Sequence, residues 1–223
     1  MWTIIFFERY EILFDKFNRT PLTIIGVFIP VFTIAFSIFL YTLGDSSFSV
    51  FTHYLSHLGI GPNGSNIVFN LGSMVSGVVL VFFFLNLSVF LNKKEVPKIL
   101  VNLSFIAGLI SSIGIFMVGV FNSDFSQDLH NFVASFFFLG GLAYCILYGI
   151  SEWRAKGISK LQALSGFGVA FSFVVFIFFT TINFYNPELA LEISHFSEWI
   201  LFTLLMFWII GHEVSMIKNK KLT

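Results

Sequence analysis

Residues Ile67–Lys98, IVFNLGSMVSGVVLVFFFLNLSVFLNKKEVPK, set the architecture of this chain. From Ile67 to Leu91 no residue is charged. At ~1.5 Å per helical residue this run exceeds a hydrocarbon layer of ~30 Å. It then meets Lys93, Lys94 and Lys98. Short loops that keep Lys and Arg stay on the cytoplasmic side of a membrane. The stretch therefore reads as a transmembrane helix that ends inside.

Working outward, similar apolar runs cover roughly 21–43, 97–120, 127–150, 161–183 and 196–217. All 12 Lys and Arg residues fall outside these runs or at their edges. They form four groups: Arg9, Lys16, Arg19; Lys93, Lys94, Lys98; Arg154, Lys156, Lys160; and Lys218, Lys220, Lys221. Those groups occupy alternate polar segments, so one assignment puts every base on the same side. The expected fold is all-α, a polytopic transmembrane bundle of six helices in the cell membrane, with N- and C-termini cytoplasmic. Residues 1–20 carry Phe6, Tyr10, Leu13 and Phe17 at helical spacing among charges, which predicts an interfacial amphipathic segment. Residues 21–217 form the six-span domain, and 218–223 a basic cytoplasmic tail. No cleavable signal peptide is expected.

Composition agrees with this reading. The chain is 57% hydrophobic and 11% charged, with mean hydropathy +0.89, outside the range of soluble domains. Its zero formal charge hides an asymmetry, because Asp45, Asp124, Asp128, Glu188, Glu192 and Glu198 all fall on the outer side without a base. The inner groups are too small to predict nucleic-acid binding. The single cysteine, Cys145, precludes an intrachain disulfide and reads as a small packed hydrophobe. The 33 Phe residues show no period and read as lipid-facing bulk.

Finer expectations follow from local patterns. Thr20-Pro21 reads as N-cap and first residue of span one, with Pro30 inside it. Small residues predict close seams at Gly72, Ser73, Ser76 and Gly77, at Gly140-Gly141, and at Ser165, Gly166 and Gly168. In the first outer loop, Asp45-Ser46 reads as the cap of a helix ended by Gly59. Phe48, Phe51, Leu55 and Leu58 would share one face of this amphipathic lid, with His53, Ser56 and His57 on the other. Asp124 and Gln127 match a capping box at the start of span four. Asn186-Pro187-Glu188 reads as an outward extension of span six, with Glu188, Glu192 and His195 on an exposed face.

Polar groups placed inside a membrane normally find partners. Asn70, His130 and Glu198 are expected at similar depths near the outer surface, which predicts a pocket beneath the lid. His53 and His57 at i, i+4, with His195 after Glu192, are candidate metal ligands, zinc being the compatible ion. Catalysis would fall to His130 with Asp124. No metal is expected, since there is no HExxH motif or paired Glu-x-x-His, and there is no phosphate loop.

Several of these residues carry a family resemblance. Ser56-His-Leu-Gly59 before a Gly/Pro turn, Phe69-Asn70, Gly77, Gly119-Val-Phe121, Asp124, His130 and Glu198-Trp199 resemble the prokaryotic membrane family called domain of unknown function 998. The resemblance implies a six-helix bundle, points to Ser56, Gly59, Phe69, Asn70, Asp124, His130 and Glu198, and so implies an outer pocket of Ser56, Asn70, Asp124, His130 and Glu198. Entry into span two is distantly similar to the six-span Frag1/DRAM/Sfk1 proteins, whose members are linked to lipid handling. The chain departs from the alkaline-ceramidase-like zinc hydrolases in span number and in lacking His-x-x-x-His on its last span. Two functions stay open. One is binding of a membrane lipid or small hydrophobic ligand in the outer pocket. The other is an outer-facing, metal-dependent lipid hydrolase.

Overall fold

The computed structural model describes residues 19–220, with side chains described over residues 28–218. Residues 1–18 of the predicted interfacial segment and 221–223 of the basic tail lie outside these residues. Six α-helices follow in order: α1 Arg19–Gly44, α2 Ser65–Asn92, α3 Lys98–Val120, α4 Gln127–Arg154, α5 Lys160–Tyr185 and α6 Pro187–Lys220. A 3-10 helix, Leu55–Ile60, lies between α1 and α2. The described residues contain no strand. Five of the helices, α2 to α6, are long and apolar enough to cross a membrane, and Phe28–Gly44 of α1 is a shorter apolar segment.

Each helix packs on the next, and α6 closes on α1 and α2. Short connections dictate this antiparallel order. At one end, the loop after α2 meets the loop after α4, where the Lys156 amide donates to the Lys94 carbonyl and Lys156 Nζ pairs with Glu95 at 2.7 Å. At the other end, residues 45–64, 121–126 and 186 gather, and none of them is Lys or Arg. The basic groups flanking α2 to α5 thus share one end of the bundle.

The helix faces explain the packing. On α1, Thr33, Ser37 and Tyr41 recur every four residues and are buried, so this stripe faces α2. Thr33 occupies the notch left by Gly72. A Cβ on Gly140 would stand 2.8 Å from the Ser111 amide of α3, so the backbones can approach only because glycine is there. Gly77 serves similarly against α3, and Gly141 and Gly166 against α5 and α4. Gly168 differs from expectation, since nothing lies within 4 Å of it and it belongs to no seam.

Four other expectations are corrected. Thr20 already lies within α1, so it is not the cap. The N-cap of α4 is Ser126, whose Oγ accepts from the Leu129 amide at 3.3 Å, not Asp124. Asp124 is exposed. Phe is not merely lipid-facing bulk: Phe83, Phe84, Phe137, Phe173 and Phe176 are buried with Tyr144, Tyr148 and Trp208 in an aromatic core. α6 begins nine residues before the expected span, at Pro187, as the Asn-Pro-Glu start suggested. Its Glu188 and Glu192 are exposed, but His195 is buried.

Candidate functional site

Residues 45–64 do not form the expected amphipathic helix. Asp45 Oδ1 accepts from the Ser47 amide at 2.8 Å, closing a turn rather than capping a helix. The Ser47 hydroxyl and amide hold the Asp45 carboxyl below its usual range. Only Leu55–Ile60 is helical, as a 3-10 turn containing Gly59, and Asn63-Gly64 supply left-handed φ values of 53° and 84° before α2. Leu55 and Leu58 are fully buried, so the segment folds into the end of the bundle.

Irregular backbone buried this way needs hydrogen-bond partners from elsewhere. One turn of α6 supplies three. His195 Nδ1 donates to the Phe51 carbonyl at 3.1 Å, Trp199 Nε1 donates to the His53 carbonyl at 2.9 Å, and Glu198 Oε2 accepts from the Leu55 amide at 2.6 Å. α2 supplies two more. Asn70 Nδ2 donates to the Gly59 carbonyl at 2.9 Å, and Ser65 Oγ to the Leu58 carbonyl at 2.9 Å. Gly59 is required here because a Cβ would stand 2.6 Å from Asn70 Oδ1. His130 Nδ1 donates to the Phe121 carbonyl at 2.9 Å and so ties α4 to the end of α3.

Beside this clamp lies a cleft of ≈ 710 Å³ between α4, α5 and residues 54–57. At its mouth and on its walls are Tyr54, Ser56, His57, His130, Asn183 and Glu198. Farther in, Ala134, Phe138 and Leu139 of α4 face Phe176 and Ile177 of α5. The wall therefore runs from polar to apolar as it descends from the loops. No Lys or Arg lines it. Tyr54 is the hub of its polar end: the hydroxyl accepts from Asn183 Nδ2 at 3.0 Å and lies 2.7 Å from Ser194 Oγ, itself 3.0 Å from Thr180 Oγ1.

Hydrogen-bond partners define what the cleft offers. A carbonyl can only accept, so His130 carries its proton on Nδ1 and leaves Nε2 as an acceptor. His57 Nδ1 accepts from the Tyr54 amide at 3.3 Å, so its Nε2 is a donor. Burial first, then the facing His195, His53 and His130, push His57 down to about 4, which keeps it neutral. Asn183 Oδ1 is buried without a partner, and Glu198 Oε1 makes no hydrogen bond among the described residues.

Of the expected pocket residues, the structure brings Ser56, His130 and Glu198 to one cleft. Asn70 and Asp124 do not line it. Asn70 holds the loop backbone, and Asp124 does not orient His130, whose Nδ1 is taken by the Phe121 carbonyl. His53, His57 and His195 do approach one another, with ring centroids 5.8 and 5.9 Å apart. Their Nδ1 atoms are each engaged, with Thr52, Tyr54 and Phe51 respectively. Among the described residues no three His, Cys, Asp or Glu side chains come together as a metal site. Tyr54, Thr180, Asn183 and Ser194 were not singled out from the sequence. Tyr54 sits between His53 and Ser56, and Asn183 closes an apolar run, but nothing local marks them as partners.

The family model for "Protein of unknown function (DUF998)" matches residues 24–212, and the chain belongs to this family. With its long apolar helices, it is a multi-pass integral membrane protein. No curated protein and no solved structure matches it. Six of the residues that carried the resemblance in sequence are explained by the clamp. Gly59, Asn70, Phe121, His130, Glu198 and Trp199 all hold irregular backbone or join helix ends where 45–64 and 121–126 meet.

Proposed function

We propose that this DUF998 protein spans the membrane six times with both termini cytoplasmic, and that its cleft holds the head of an outer-leaflet lipid or related amphiphile. The basic end then faces the cytoplasm, and the loop-covered end faces out. The observation that carries the binding reading is the gradient along one wall. It passes from Gln127, His130 and Asn131 to the small Ala134 and Ser135 and then Phe138 and Leu139 over successive turns of α4. An amphiphile has the same gradient from head to tail. The volume also falls within the ~300–1,000 Å³ of small-ligand sites.

Head chemistry follows from the lining. With no Lys or Arg and with Glu198 at the wall, an anionic head would gain no countercharge and would meet a carboxyl group. The mixture of the His57 Nε2 donor with the His130 Nε2 acceptor suits hydroxyl groups, which donate and accept at once. The preferred ligand is an amphiphile with an uncharged, hydroxylated head. The hydrolase reading gains no comparable support, since Asp124 is remote from its assigned role.

A photoactivatable lipid with a neutral glycosyl head tests this in reconstituted protein. Crosslinks should map to α4 and α5 around Ala134 and Ile177. Unlabelled neutral glycolipid should compete, and phosphatidylglycerol should not. Crosslinks scattered over the outer helix faces, or equal competition by both lipids, would exclude the reading.

A further inference from the structure

At the opposite end from the cleft, Glu152 is in the last turn of α4 yet fully buried, and so is His212 of α6. His212 Nε2 lies 2.6 Å from Glu152 Oε1. Gln162 of α5 donates from Nε2 to the same oxygen at 2.8 Å and accepts from Ser215 Oγ of α6 at 2.9 Å. Three helices thus converge on one carboxyl group. His212 Nδ1 is 2.7 Å from the Trp208 carbonyl, which can only accept, so Nδ1 is protonated. One proton therefore lies between Nε2 and Oε1. Glu152 Oε2 is buried and has no partner, an expensive arrangement for a structural strut.

We propose that the Glu152–His212 pair is a proton-binding site entered from the basic end, and that Oε2 receives the second proton. The site as found is electrically neutral with its single shared proton. A second proton on Oε2 leaves imidazolium facing a neutral acid, so one net positive charge occupies the buried site. That charge is unfavourable in apolar surroundings and loosens α6 from α4 and α5 at this end. Other titratable groups on the packed elements are Cys145 and Tyr148 of α4 and Glu213 of α6. At the rim stand Arg154, Lys156 and Lys160, with Glu95 on the facing loop. The rim bases lie outside the buried network, where Lys156 pairs with Glu95 and Lys160 reaches the Trp153 carbonyl. The proton is the ligand of this site, and the inference does not depend on what the outer cleft holds.

Cys145 is a native reporter. It is fully buried and stands two turns from Glu152 on the same face of α4. Its reaction with a neutral pyridyl disulfide should be followed in reconstituted full-length protein and in E152Q/H212Q, which has no titratable pair. Relative to that variant, the wild-type rate should rise roughly tenfold as pH is lowered from about 7 toward about 4, the range in which a carboxyl oxygen takes up a proton. A constant ratio would overturn the proposal. Should the variant fail to fold, nitrogen NMR of wild-type His212 in bilayers gives the same decision. The Nδ1 proton should persist while the Nε2 signal moves with pH, and an unmoved Nε2 signal would refute the assignment.

Discussion

Glu198 reaches across 143 positions of sequence to accept the Leu55 amide at 2.6 Å, and both groups are buried. This bond joins the last helix to the loop that covers the end of the bundle opposite the basic loops. It also places Glu198 at the wall of the cleft, so clamp and candidate site share a residue.

Removing the acceptor should be costly. Glu198→Ala leaves the Leu55 amide buried without a partner, which costs about 1–3 kcal/mol. Glu198→Gln retains an oxygen acceptor and should cost less. Thermal unfolding in detergent should rank the proteins wild type, Gln, Ala, and amide exchange at Leu55 should quicken most in the alanine variant. Equal unfolding temperatures for wild type and Glu198→Ala would show that the bond is not made.

Acid should weaken the same loop. His57 is held at about 4 in the folded protein against an ordinary 6.5, chiefly by burial. Between those values the unfolded chain binds more protons than the folded one, so stability rises with pH across this window. His57 thus contributes fully above about 6.5, and its contribution is lost as pH falls toward about 4. Unfolding midpoints measured across that range should decline in the wild type and decline less in His57→Gln. Parallel curves would contradict the burial of His57.

Two glycines with similar sequence surroundings should respond oppositely. Gly140→Leu drives a side chain into the α3 backbone at Ser111 and should abolish folding or cost several kcal/mol, by analogy with overpacked cores. Gly168→Ala meets nothing within 4 Å and should stabilise α5 by up to ~1 kcal/mol. Expression and unfolding temperature check both. A tolerant Gly140→Leu would remove the close α3–α4 contact from the account.

How far these relationships could be read beforehand depends on their range. Helix boundaries were legible because chain length in an apolar run and the Lys/Arg pattern are local properties: expected 67–91 became Ser65–Asn92, and expected 161–183 became Lys160–Tyr185. Depth was legible too, which is why Asn70, His130 and Glu198 were expected near one another; His130 and Glu198 share the cleft, while Asn70 holds the Gly59 carbonyl instead. What failed was conformation where tertiary bonds replace local ones. The apolar spacing of Phe48, Phe51, Leu55 and Leu58 suits a helix, but His195, Glu198 and Trp199 capture the backbone of 51–55 instead. Asp124 lost the cap of α4 to Ser126 because a serine directly before Gln127 reaches the Leu129 amide. The Glu152–His212 pair shows the limit most clearly. No motif marks either residue in the sequence, and only the fold brings positions 60 apart into one bond.

The central claim is that the cleft between α4 and α5 holds an uncharged amphiphile, and filling it tests this most directly. Ala134→Trp places a bulky ring on the α4 wall where only half-buried alanine now stands. Native mass spectrometry of protein extracted with its lipids should show a retained neutral lipid on the wild type and its loss from a folded Ala134→Trp variant. Identical lipid retention in the two proteins, or retention of anionic lipids alone, would contradict the account.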